Sequence, residues 1–161
     1  VTPPRVTLRP FQEADALALH PIFADARAMR YWSTPPHASL AETRAFVAAT
    51  MAATASGEGD DQVVLLDGQV IGKAGLWDNE EVGFILAPAF WGQGLARAAL
   101  EKVITRARDR GVARITADVD PRNAASIGLL TRLGFVRTGE AKATVKVGGE
   151  WADSLYFELA L

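Results

Sequence analysis

A mixed α/β fold built around one central sheet is what this sequence predicts, and three observations predict it. The hydrophobic period switches repeatedly between two and about 3.6 residues along the chain. A hairpin dipeptide, Asp67-Gly68, separates two β-rich runs, and an amphipathic helical stretch over residues 95–110 stands between further strands. In order, the chain reads strand, two helices, three strands, helix, strand, helix, two strands. Helices packed on a single sheet bury all of these apolar faces at once.

The first strand is Val6-Thr7-Leu8-Arg9-Pro10, ended by its proline. Residues 13–20 carry an alanine- and leucine-rich helical pattern that Pro21, lacking an N–H, is expected to end or bend. His20 sits beside Pro21 on this apolar helix and reads as structural. A second helix opens at Ser39, three residues ahead of Glu42, the spacing of a capping box, and runs to about Thr54. Between them, Arg30-Tyr31-Trp32-Ser33-Thr34-Pro35-Pro36-His37 is aromatic, proline-rich and irregular, either a packed connector or the wall of a pocket. The polar run Ser56-Gly57-Glu58-Gly59-Asp60-Asp61 reads as a surface loop.

Residues 62–66 and 70–76 form the hairpin about Asp67-Gly68, and residues 81–86 a third strand. In the long helix, Leu95, Ala96, Ala99, Leu100, Val103, Ile104 and Ala107 make one stripe, and Gly111 closes its C-terminus. Residues 115–119 give the next strand and residues 124–133 a shorter helix stopped by Gly134. Residues 135–147 and 151–161 close the chain as a hairpin about Gly148-Gly149, with Trp151 and Tyr156 expected in the core.

With 161 residues, the chain is expected to form one domain over 1–161. Its 17 basic and 19 acidic residues are scattered, so no electrostatic footprint for a nucleic acid is expected. The absence of cysteine excludes disulfides, thiolate metal sites and a covalent thiol intermediate. His20 and His37 stand too far apart for a metal motif, so no metal is expected. The opening Val1-Thr2-Pro3-Pro4-Arg5 shows no leader pattern, and no segment approaches the ~18 apolar residues of a membrane span. A cytoplasmic protein with no membrane partner is the expectation.

The most informative segment is Ala87-Pro88-Ala89-Phe90-Trp91-Gly92-Gln93-Gly94-Leu95-Ala96, where a strand meets a helix through two glycines. Small residues there let backbone N–H groups approach an anion, and the helix N-terminus adds partial positive charge. That pattern alone fits a pyrophosphate site or a tight connection equally. The Lys and Ser/Thr of a Walker A sequence are missing, and the loop follows four strands instead of opening a βαβ unit, which disfavours the two standard nucleotide motifs.

The segment resembles motif A of the GNAT superfamily of N-acetyltransferases, Q/R-x-x-G-x-G/A, with Gly94 and Ala96 in the last two places and Trp91 where Gln or Arg is usual. That departure is similar to the branch of ribosomal-protein N-terminal acetyltransferases of the RimJ/RimL type. Asp120-Pro121-Arg122-Asn123-Ala124-Ala125-Ser126, followed by Leu133-Gly134-Phe135, resembles the same branch, as do Leu8-Arg9-Pro10, Arg30-Tyr31-Trp32 and Gly149-Glu150-Trp151. The resemblance implies a splayed, mostly antiparallel sheet of about seven strands with about four helices. It also implies acetyl-CoA as acyl donor, lodged between residues 81–86 and the strand near Ile115. Backbone groups of Phe84, Ile85 and Leu86 would hold the pantetheine, and N–H groups of Trp91, Gly92, Gln93, Gly94, Leu95 and Ala96 the pyrophosphate. Arg97 would reach a phosphate or remain a solvated helix residue.

Acyl transfer needs a neutral amine. Deprotonating a lysine amine at pH 7 costs about 4.6 kcal/mol, an α-amine only about 1.1. Glu81, in Glu81-Val82-Gly83-Phe84, matches the branch's acidic E-x-G-Y/F position and is the candidate base, with Glu80 or Asp78 as substitutes. Protonating a thiolate gains only about 2 kcal/mol at pH 7, so an acid helps without being indispensable. Where many GNAT enzymes have a tyrosine, seven residues past the motif asparagine, this chain has Leu130, and the resemblance implies Ser126 instead. Asn123 caps the helix or binds the CoA arm. Tyr31, Trp32 and His37 are candidates for the acceptor pocket.

The expected activity is transfer of an acetyl group to a primary amine, on a protein N-terminus or a small molecule, by a monomer or homodimer. A protein acceptor predicts an open, acidic or polar cleft; a small acceptor predicts a closed pocket roofed by residues 31–37. The alternatives are a catalytically idle acyl-CoA sensor, which the missing tyrosine suggests, and a binding module without a nucleotide.

Overall fold

A computed structural model describes residues 5–161; Val1 to Pro4, read for a leader pattern, lie outside the described residues. The strands are β1 (Val6–Pro10), β2 (Asp60–Leu66), β3 (Gln69–Trp77), β4 (Glu81–Leu86), β5 (Arg114–Val119), β6 (Val136–Val147) and β7 (Glu150–Ala160). The helices are α1 (Asp15–Phe23), α2 (Leu40–Ser56), α3 (Leu95–Asp109) and α4 (Ala124–Arg132), with a 3-10 turn at Pro88–Phe90. All seven strands form one sheet in the order β1-β2-β3-β4-β5-β7-β6, antiparallel except at β4–β5. The expected mixed, mostly antiparallel α/β sheet is therefore present.

Alternation across the strands sorts the core into two layers. Val64, Ile71, Leu76, Leu86, Ile115, Ala117, Leu155 and Phe157 pack with α3 and α4 residues such as Leu100 and Leu130. On the other face Val63 and Ile85 join Leu19, Phe23 and Val47 of α1 and α2. Both tight turns use left-handed backbone: Asp67 and Gly68 have φ of 48° and 85°, Gly148 and Gly149 of 60° and 82°.

The central feature for function is what β4 and β5 fail to do. They pair in parallel only at Glu81↔Thr116, reinforced by the Thr116 N–H donating to the Glu80 carbonyl at 2.9 Å. Beyond that point the ladder stops, and the sheet opens toward Leu86 and Val119.

Several expectations are corrected. Helix α1 runs through Pro21 to Phe23. Pro21 and Leu17, whose carbonyl loses its helical donor, both lie on the exposed face, where water can serve that carbonyl. Ser39 does cap α2, its Oγ accepting the Glu42 N–H at 3.4 Å, but Glu42 reaches back to the Ala38 N–H (2.8 Å) in place of Ser39. Asp60 and Asp61 are no surface loop. They open β2 because cations from elsewhere reach them: Arg106 of α3 and Arg110, its C-cap, pair with Asp60, and Lys73 of β3 pairs with Asp61. Trp151 is 63% exposed. It lies outside the cluster that Leu155 and Phe157 join on the same face, and Lys146 Nζ stands 5.4 Å from its ring centre. Tyr156 is half-buried.

Candidate active site

Where β4 ends, the chain makes the 3-10 turn and then passes through Gly92 and Gly94, both left-handed at φ 72° and 76°. Gly94 is the N-cap of α3 and offers no side-chain cap, and α3 has no acidic residue in its first turn. The N–H groups of Leu95, Ala96 and Arg97 therefore lack helical partners. Those of Gly92, Gln93 and Gly94 find no main-chain acceptor among the described residues. The Trp91 N–H is different: it donates to the Pro88 carbonyl at 3.1 Å, so the cradle of donors begins at Gly92 and not at Trp91. Nothing lies within 4 Å of where a Cβ would stand on Gly92 or Gly94. An open run of unpartnered N–H groups at a helix N-terminus fits a diphosphate.

The adjoining side chains are partly engaged. Trp91, half-exposed, donates its indole N–H to the Leu86 carbonyl at 2.9 Å. Gln93 donates to the Ala89 carbonyl at 3.2 Å. Arg97 pairs with Glu101 one turn along α3 at 3.1 Å, on the solvated surface. Ala87 donates to the Ile71 carbonyl. By the alternation of an antiparallel ladder, the polar groups of Phe84 and Leu86 then turn away from β3, toward the opening beside β5.

At the paired end of the opening lies a cavity of about 230 Å³. Tyr31, Ser33, Glu81, Val82, Asp118, Asp120, Asp153 and Ser154 are among its lining residues, with Val145, Val147 and Ala152 beside them. It is open to solvent and carries four carboxylates. Burial pushes the Glu81 carboxyl above its ordinary pKa, and the negative charges of Asp118 and then Glu80 push in the same direction. Asp120 is held below the ordinary range by hydrogen bonds from Arg122 (2.7 and 3.0 Å). Asp153 is held down by the Ala143 N–H at 2.9 Å and by Lys142. The Glu81 and Asp118 carboxylates have no ion-pair or hydrogen-bond partner among the described residues.

Of the aromatic acceptor candidates, only Tyr31 lines this cavity. Its hydroxyl donates to the Arg122 carbonyl at 3.2 Å, and the Arg30 and Arg122 guanidinium groups lie 5.0 and 5.8 Å from its ring centre. Trp32 packs edge-on against Phe23 at 5.6 Å, beneath the Lys73 ammonium. His37 stacks on Phe23 at 5.0 Å and shares the Thr43 hydroxyl with His20, at 2.7 and 2.8 Å. Both serve the α1–α2 core layer instead.

The Asn123 carboxamide oxygen caps α4, accepting the Ser126 N–H at 3.2 Å. Ser126 is half-buried in that first turn and does not line the cavity that holds Glu81, so the cavity does not bring the two candidate catalytic groups together. Leu130 is buried in the core, and no hydroxyl stands at its position. Asp118, Asp120 and Asp153 were missed by sequence reasoning. The alternation Ala117-Asp118-Val119-Asp120 carried a signal for the first two, since Ala117 and Val119 face the core. Asp153 and Ser154 carried none, because their place depends on the distant hairpin folding back beside β5.

Comparison with known proteins shows the family and the fold. An acetyltransferase (GNAT) domain model matches residues 5–136. A Bacillus licheniformis protein named as an uncharacterized N-acetyltransferase is 28% identical over 164 residues, covering 96% of this chain and 92% of its own. The crystal structure of ribosomal-protein-alanine N-acetyltransferase from Brucella melitensis superposes with a TM-score of 0.79 at 28% identity, over 96% of this chain and 99% of that one. RimJ from Mycobacterium smegmatis, solved with a CoA disulfide, shares the fold with a TM-score of 0.89 at 24% identity, over 99% of this chain and 86% of its own. No described helix is long and apolar enough to cross a membrane. The chain belongs to the GNAT family of acetyltransferases, resembles its RimJ/RimL branch, and is an acyl-CoA-dependent acetyltransferase.

Proposed function

We propose that this chain, as one domain over 1–161, transfers the acetyl group of acetyl-CoA to the α-amine of a protein or peptide N-terminus. The observation that carries the acceptor class is the cavity beside Glu81: it is open and acidic, and residues 31–37 contribute only Tyr31 and Ser33 to its edge. A lid over a small substrate would need more of that segment, and Trp32 and His37 are committed to the core.

Acetyl-CoA would lie in the β4–β5 opening, its pyrophosphate on the N–H groups of Gly92, Gln93, Gly94, Leu95 and Ala96. The pantetheine would meet backbone groups of Phe84 and Leu86 that face the opening, with Ile85 packing behind. The indole of Trp91 already satisfies the Leu86 carbonyl, which leaves the Phe84 groups as the main partners. Asn123 would offer its NH₂ to the arm while its oxygen caps α4.

The acceptor enters as an ammonium drawn by the carboxylates, and Glu81 takes its proton, directly or through water. The raised pKa of Glu81 suits this role, because a stronger base accepts the proton more readily near neutrality. The amine nitrogen then attacks the thioester carbon, a C–N bond forms, the C–S bond breaks, and the surplus proton on the nitrogen passes through Ser126 or water to the departing thiolate. An α-amine asks about 3.5 kcal/mol less of this base than a lysine side chain does.

Thiol release from acetyl-CoA, measured against peptides with varied N-termini and against small amines, tests the reading. Turnover with peptides and an acid limb lost in Glu81→Gln, with a fall in kcat of about 10²- to 10⁴-fold, is expected. Full turnover by Glu81→Gln across pH would remove Glu81 from the mechanism. CoA binding without thiol release from any amine would favour the idle sensor.

A further inference from the structure

We infer that Asp118 is the specificity-determining residue of the acceptor site and selects acceptors that carry a second positive charge close to the reacting amine. The inference rests on the acetyl-transfer reading and deepens it. Its basis is charge accounting around one cavity. Of the four carboxylates there, Asp120 is neutralised by Arg122 and Asp153 by Lys142. Glu80, just outside, is paired with Arg114 at 2.9 Å. Arg30 acts on Asp120 and lies against Tyr31. Glu81 and Asp118 alone among these groups have no cation within ion-pairing distance among the described residues.

An acceptor with one ammonium brings one positive charge to two unbalanced carboxylates. When its proton passes to Glu81 that pair becomes neutral, and Asp118 still faces the cavity with its charge uncompensated. A second ammonium or guanidinium on the acceptor balances Asp118 throughout the reaction. Asp118 is two residues beyond Thr116, the residue paired with Glu81, on the same face of β5. That offset is about 7 Å along a strand, the reach of a diamine or of a basic side chain at the first or second position of a peptide.

The test compares kcat/KM for matched acceptors: peptides beginning Ala-Lys and Ala-Gln, and 1,4-diaminobutane against butylamine. The wild type is expected to prefer the doubly charged member of at least one pair by about five- to tenfold at low salt, with the preference shrinking as ionic strength rises. The peptide and amine arms show which source supplies the charge. In Asp118→Asn the ratio should fall to near one, Asp118→Glu should restore part of it, and the acid limb of kcat/KM should move to lower pH because one charge raising Glu81 is gone. Binding of CoA serves as the folding control for both variants. Turnover with no preference, or a preference that Asp118→Asn leaves in place, overturns the role of Asp118 while acetyl transfer stands. Absence of thiol release from every acceptor overturns both.

Discussion

Glu81 illustrates how one position can be costly for folding and useful for chemistry. Its carboxyl has a pKa raised by burial and by Asp118, so its ionised form is less favourable in the folded chain than in the unfolded one. Its contribution to stability is therefore fully present below the ordinary carboxyl pKa and is lost as pH rises through the elevated value. Glu81→Gln should therefore melt slightly higher than the wild type at neutral pH while losing turnover, a pairing that thermal denaturation and thiol release together would reveal. Gly94 makes the complementary case. At φ 76° with open space around it, a side chain here strains the backbone by about 1–2 kcal/mol and stands among the free N–H groups without touching the core. Gly94→Leu is expected to stay folded and to weaken CoA binding at least tenfold, read by calorimetry. Unchanged affinity would show that the diphosphate binds elsewhere.

At the scale of elements, the glycines of β3 set how closely its neighbours approach. A Cβ on Gly72 would collide with the backbone of Ile85 and Leu86, and one on Gly75 with the backbone of Asp60 and Asp61. Gly72 thus sets where β4 lies beside the opening and Gly75 how closely β2 approaches, so the sequence role of Gly72 as a strand residue conceals a role in the opening. Gly72→Ala should destabilise the chain by about 2–3 kcal/mol in urea unfolding, since the strands must move apart. Helix boundaries were legible where local chemistry decides them: Ser39 begins α2, Gly94 precedes α3, and Asn123 caps α4 through its own side chain. The end of α1 was not, because whether Pro21 breaks a helix depends on which face it occupies and what lies over Leu17.

Over the whole molecule, several buried or cavity-lining carboxylates are held in their ionised form by hydrogen-bond donors. Burial raises the Asp15 pKa, but the two Arg9 hydrogen bonds (2.7 and 2.8 Å) and the Gln12 N–H outweigh it and leave it lowered. Asp120 and Asp153 are lowered as well. Groups of this kind contribute stability above their unfolded pKa, near ~4, and lose it as pH falls through the folded values. The melting temperature should drop steeply below about pH 4, and Arg9→Gln should melt lower at neutral pH yet lose less on acidification. A melting temperature insensitive to pH between 5 and 3 would contradict this.

The sequence by itself determined the order of elements, the two left-handed turns, the cap residues, the glycine loop at Gly92–Gly94 and the motifs that carry the family resemblance, because each of these depends on residues within a few positions of one another. Only the tertiary structure decided that β4 and β5 meet at one point and then part, that Trp32 and His37 belong to the core, and that Asp118, Asp120 and Asp153 gather beside Glu81. These placements come from strands brought together across the sheet, and a charge or an aromatic ring has no address in that space until the pairing exists.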